Sequence, residues 1–140
     1  MRSKSLLTAN ILSTLYSAVL LYIFGGAIIA AGGISYVKAL YVYFEFAFNI
    51  LGSSSVSNNF LVAIIVLLII HIVLFLFGCL FGWIAFGTKK SGLAKFSATL
   101  YLIGTIFFPI YLIFGLPITI VGYIGGAKQK KINKVNQQQI

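Results

Sequence analysis

FSATLYLIGTIFFPIYLIFGLPITIVGYIGG, residues 96–126, is the stretch on which the fold turns. It is uncharged and mainly apolar, and it is much longer than the ~20 residues a helix needs to cross ~30 Å of hydrocarbon. Pro109 and Pro117, with Gly104, Gly115 and Gly122, interrupt it. Basic residues flank it on both sides, with Lys89, Lys90 and Lys95 before it and Lys128, Lys130, Lys131 and Lys134 after it. A single crossing would place these two groups on opposite faces of a membrane, against the tendency of Lys and Arg to stay on the cytoplasmic side. A hairpin that turns between Phe108 and Pro117 removes the conflict. It gives two short or re-entrant spans, 96–109 and 111–126, whose freed backbone groups are tolerated where other protein covers them.

Residues 60–87 read as an uninterrupted span, longer than the minimum and therefore expected to tilt or to extend into the interface near Trp83, and residues 6–31 are long enough to form another. A basic N-terminus (Arg2, Lys4) and the small residues Ala30, Ala31 and Gly32 also fit a cleaved signal peptide. The apolar stretch, however, exceeds the usual 7 to 15 residues of a signal core. Between the two spans, GSSSVSNN (52–59) is uncharged and turn-forming, as an outside loop would be. With the N-terminus inside, nine of the ten basic residues then face the cytoplasm, and both termini lie on that side of a cell membrane.

Residues 34–51, ISYVKALYVYFEFAFNIL, form an amphipathic segment. At 100° per residue Ser35, Lys38, Glu45 and Asn49 fall in an arc of roughly 80°. Ionisable groups in hydrocarbon cost at least about 2.5 kcal/mol each, so the segment is expected to lie in the outer interface, with a fifth span as the alternative. The expectation is an all-α, polytopic helical membrane protein. It has four spans, the last two a Pro/Gly-broken hairpin, plus an amphipathic interfacial helix. These make a single domain over residues 1–126, and 127–140 is a basic, disordered cytoplasmic tail.

Composition agrees. Of 140 residues 61% are apolar and 8% charged, too few charges to coat a water-soluble globule. The net charge of +9 is sorted around apolar runs, which points to anionic lipid of the inner leaflet as the partner and not to nucleic acid. One cysteine, Cys79, excludes an internal disulfide framework.

The candidate chemistry is sparse. His71, the only histidine, falls inside the second span, where an ionisable group is a functional candidate by default. The plainer reading is a neutral imidazole bonded to a hydroxyl or carbonyl of the next helix. Gly78 and Gly82 follow it at i+7 and i+11, so the three share one face with a GxxxG pair, a face suited to close helix contact. Gly115, Gly122 and Gly126 repeat that spacing near the end of the chain. Asn10, Ser13, Thr14 and Ser17 recur at i, i+3, i+4 and i+7, an intramembrane polar face able to bond a neighbouring helix. Cys79 is about 12 Å and 80° from His71 on one helix, too far for a thiolate and imidazole pair. Glu45 is the only acid, and no cluster of metal ligands accompanies it, so neither an enzyme nor a cofactor is expected. Lys89, Lys90, Lys128, Lys130 and Lys131 are assigned to topology and lipid contact, and Lys38, Glu45 and Asn49 to the amphipathic stripe.

GxxxGW at Gly78 to Trp83, KKSGLAK at Lys89 to Lys95, and YLIGTIFFPIYLIFGLPITIVGYIGGAKQKK from Tyr101 to Lys131 together resemble an uncharacterised family of small four-span membrane proteins of Gram-positive bacteria. The resemblance implies the hairpin and no particular activity. Nine Lys against one Arg, with many Ile, Asn and Phe, fit an AT-rich bacterial genome. The leading functional expectation is a non-enzymatic membrane protein working through helix contacts, as an accessory, regulatory or immunity-type subunit of a membrane complex. A second class is a pore-forming or holin-like homo-oligomer, and a third a small transporter or channel.

Overall fold

A computed structural model of the chain describes residues 1–25 and 58–138, together with Lys38, Val42, Glu45, Phe46 and Asn49. All regular structure among them is helical. Helix α1, Lys4–Leu20, is started by Ser3, whose hydroxyl accepts the Leu6 N–H, and it runs into a π-helical turn, Leu21–Gly25. Helix α2, Asn58–Thr88, is apolar on every side, as befits a rod whose surroundings are apolar too. It stops at Lys89, which takes a left-handed backbone (φ 57°) and turns the chain into α3, Ser91–Phe107.

The stretch 96–126 does break. Helix α3 ends at Phe107, Phe108 leaves the helical region, and Pro109, which has no N–H to donate, opens a 3-10 turn, Pro109–Tyr111. Helix α4, Leu112–Gln138, then runs back along α3. Thr105 lies against Gly115, Ala98 against Gly122, and Lys95 against Gly126, so the two helices are antiparallel. The same test makes α1 antiparallel to α4, through Leu6 against Gly125 and Tyr16 against Phe114, and antiparallel to α2, through Asn10 on Gly82 and Tyr16 on His71. Each helix therefore packs on two neighbours in an up-down-up-down arrangement.

Among the described residues three helical stretches, Lys4–Phe24, Val62–Thr88 and Pro109–Gln138, are long and apolar enough to cross a membrane, and Ser91–Phe107 is a shorter apolar helix. Polarity is distributed as a membrane setting demands. Asn10, Ser13, Ser17, His71, Ser97, Thr105 and Thr119 are buried among the helices, while Leu15, Val19, Val62, Val73, Leu80, Ile106 and Ile113 face outward.

One expectation changes. The stretch 127–138, read as a disordered tail for want of an apolar stripe, is the continuation of α4. It is ordered by polar contacts instead. Gln129, with no exposed surface, accepts the Ser3 N–H (2.9 Å) and donates to Asn133 Oδ1 (2.9 Å), and Asn133 donates to the Lys89 carbonyl (2.9 Å). Thr14, of the same polar set as Asn10, Ser13 and Ser17, is exposed on the seam with α2, where its hydroxyl accepts from the Trp83 indole N–H. Of the first span, residues 26–31 lie outside the described residues. So does most of the amphipathic segment 34–51, of which only Lys38, Val42, Glu45, Phe46 and Asn49 are described, each helical and exposed.

Candidate functional site: the buried polar core

The polar core has two layers, both built on α2. In the first, His71 projects between α1 and α3. Its Nδ1 lies 2.8 Å from the Gly104 carbonyl and its Nε2 2.7 Å from the Tyr16 hydroxyl. A carbonyl can only accept, so Nδ1 carries a proton, and in the neutral ring the Tyr16 O–H donates to the Nε2 lone pair. Both ring nitrogens are then engaged, and neither is open to a substrate or a metal. The same Gly104 carbonyl accepts the Phe108 N–H (3.2 Å), so His71 reinforces the end of α3 at the point where Pro109 withholds a donor. Phe75, Phe108 and Tyr111 lie around the imidazole, with ring centroids 4.7, 6.0 and 5.7 Å away. Gly104 is closely packed here, since a Cβ would come within 3.1 Å of the Phe75 ring and 3.3 Å of Leu74 Cβ.

The second layer lies two to three turns along α2, at Gly78 and Gly82. Without side chains at these two positions, donors from both neighbours reach the α2 backbone. Ser97 of α3 donates to the Gly78 carbonyl (2.6 Å), and Asn10 of α1 donates to the Gly82 carbonyl (2.9 Å). A Cβ on Gly78 would lie 2.5 Å from the Tyr101 ring. One on Gly82 would lie 2.6 Å from Asn10 Oδ1 and 3.0 Å from Ser97 Oγ. The glycine pair thus works less as a smooth surface than as two uncovered carbonyls. Ser13 turns back to the Asn10 carbonyl (3.0 Å), and among the described residues the buried Ser17 hydroxyl has no hydrogen-bond partner.

At the outer edge of this layer the Trp83 indole N–H donates to Thr14 Oγ1 (2.8 Å), and Cys79 Sγ lies 3.3 Å from the same oxygen. Along α4, a Cβ on Gly115 would overlap Thr105 Oγ1. On Gly122 it would meet Ala98 Cβ (3.1 Å), and on Gly126 Lys95 Cγ (3.1 Å). Both sets of glycines selected from the sequence are therefore filled by the chain's own helices. Among the described residues no group of three His, Cys, Asp or Glu side chains could hold a metal ion.

Several residues of this core escape sequence reading. Ser97, Tyr101 and Thr105 recur at i, i+4 and i+8, a polar stripe of α3 that spacing alone would have found. Gly125, whose missing Cβ admits the α1 backbone at Leu6, is masked by the more conspicuous Gly122 and Gly126 pair. Tyr16, Gln129 and Asn133 carry no local signal, because their partners are far away in the chain. No protein-family model, curated protein or solved structure matches the chain.

Proposed function

We propose that the chain is a four-span integral protein of the cell membrane, with both termini and the turn at Lys89 and Lys90 in the cytoplasm. It acts without catalysis, by contact with another membrane protein, as an accessory, regulatory or immunity-type subunit. The observation that carries this reading is where the polar atoms are spent. His71 uses both ring nitrogens internally, Asn10 and Ser97 are committed to α2 carbonyls, and the glycine faces are occupied within the chain. Apart from the basic residues at one end of the bundle, the described outward-facing side chains are mainly apolar, and the exposed Lys38, Glu45 and Asn49 form a second polar set. Ionisable groups at a membrane are costly unless paired or wet, so this stripe is the surface that a partner protein would satisfy.

A photo-crosslinking residue at Phe46, beside the stripe, tests the proposal in intact membranes. The expected result is an adduct heavier than the chain, lost when Lys38→Ala and Glu45→Ala are combined. A chain that remains an uncrosslinked monomer would overturn the reading. A pore-forming homo-oligomer would have to line its lumen with the same stripe, since Phe75, Tyr101 and His71 fill the axis of the bundle. It would give an adduct of twice the chain's mass together with dye release on induced expression.

A further inference from the structure

Three basic segments far apart in the sequence meet at one end of the bundle. They are the N-terminus before α1, the turn and first residues of α3 over 89–95, and the α4 extension over 128–134. A set of hydrogen bonds, a polar lock, holds them side by side: Lys128 Nζ donates to Ser5 Oγ (3.1 Å), Ser3 N–H to Gln129, and Asn133 to the Lys89 carbonyl. Nine of the ten basic side chains belong to this collar and all nine are exposed. The single acidic side chain, Glu45, lies in another part of the chain. Within the α4 extension Lys130 and Lys134 stand at i and i+4, a like-charge pairing that weakens a helix. The arrangement is therefore short of negative charge where it is most tightly held.

An open cleft of about 730 Å³ lies in the collar, between the α2–α3 turn and α4, with Lys89, Lys90, Gly92 and Asn133 in its wall. Directly next to the collar the outer face of α2 becomes apolar, with Leu80, Trp83 and Ile84 exposed. Concentrated cations bordering an apolar face match a molecule that carries an anionic phosphodiester on acyl chains. A soluble anion would use only the first half of that surface.

Resting on the membrane reading above, we propose that this collar binds the headgroups of anionic phospholipids, and that their charge holds the α4 extension against the α2–α3 turn. The test uses the full-length protein in nanodiscs of phosphatidylcholine alone, or with phosphatidylglycerol or cardiolipin. The readouts are the thermal midpoint and, by native mass spectrometry, the retained lipids. The anionic discs are expected to raise the midpoint by at least about 3 °C and to leave anionic lipids on the protein. The rise should shrink at about 0.5 M salt, where screening acts within a few Å. It should fall by half or more in the variant combining Lys128→Gln, Lys130→Gln and Lys131→Gln. Equal midpoints in neutral and anionic discs, or a full rise in the triple variant, would overturn the proposal. An equal rise on adding inorganic phosphate or a polyanionic RNA to neutral discs would reassign the collar to a soluble anion and overturn the lipid source. A protein that stays in carbonate-washed membranes yet shows no lipid preference would overturn the collar alone. Carbonate extraction would overturn the membrane reading, and the collar with it.

Discussion

Among the described glycines, Gly125 is the one at which an added Cβ would meet the main chain of another helix at under 3 Å, that of α1 at Leu6, and it sets a quantitative prediction. A methyl group added by Gly125→Ala would sit 2.7 Å from both Leu6 Cα and Leu6 N, and 3.0 Å from Leu6 Cβ. Carbon atoms sit comfortably at about 3.5–4.0 Å, so α1 must retreat by roughly 1 Å. No side-chain rotation can absorb this, because the obstacle is main chain. Overpacking of this kind costs about 1–3 kcal/mol. The retreat also pulls Ser3 N–H away from the buried Gln129, which adds about 1–3 kcal/mol for an unmet group. The expected total is about 2–6 kcal/mol. Two neighbouring substitutions calibrate it. Gly122→Ala meets only Ala98 Cβ at 3.1 Å, and a shift of a few tenths of an ångström relieves it, so at most about 1 kcal/mol is lost. Gly87→Ala meets nothing within 4 Å and sits inside α2, so it should stabilise by up to about 1 kcal/mol through helix propensity. Unfolding in mixed micelles with rising denaturing detergent, followed by circular dichroism, should rank Gly87→Ala above the wild type, then Gly122→Ala, then Gly125→Ala. A Gly125→Ala protein as stable as Gly87→Ala would refute the reasoning, since it would mean that α1 and α4 do not touch at Leu6.

Three other outcomes follow from the same geometry. His71→Phe should lose about 1–3 kcal/mol by leaving the Tyr16 hydroxyl without its partner; Tyr16→Phe should lose about 0.5–1.5 kcal/mol, and the double variant less than the sum, as a double-mutant cycle in the same unfolding assay would register. Gln129→Ala should strip hydrogen-exchange protection from residues 129–138 while leaving α2 protected, because Ser3 and Asn133 lose the amide that joins them; unchanged protection there would count against the polar lock. Asn10→Leu and Ser97→Ala should each destabilise by about 0.5–1.5 kcal/mol, and because both side chains crowd the same face of Gly82 the double variant should depart from the sum in the same unfolding assay.

The parts of this architecture that are legible in the sequence are those with a local physical signature. Pro109 forbids a backbone donor wherever it stands, so a break in the stretch 96–126 is readable in advance, and the structure puts it at Phe108. The long apolar run of α2 leaves no choice of secondary structure. The periodicity of Asn10, Ser13 and Ser17 marks a buried face because polar groups turn away from apolar surroundings. What is not legible depends on pairs distant in the chain. Gln129 looks like one polar residue among many, and only its bonds to Ser3, 126 positions earlier, turn a polar tail into helix. His71 is conspicuous by type, yet Tyr16 is not, and the role of the imidazole is fixed by Tyr16 and Gly104 together. The glycines at 78 and 82 are readable as close-contact positions, but spacing cannot say that the contact is with side chains of α1 and α3 reaching for carbonyls.

The central claim is that residues 96–126 fold back so that the α2–α3 turn and the end of α4 share one side of the membrane. Single cysteines placed at Ser91 and at Gln137 in a Cys79→Ser background, challenged with a membrane-impermeant thiol reagent, measure it directly. The account predicts that both stay unlabelled in intact cells and react together once the membrane is opened. Labelling of Gln137 from outside intact cells, with Ser91 still protected, would contradict it.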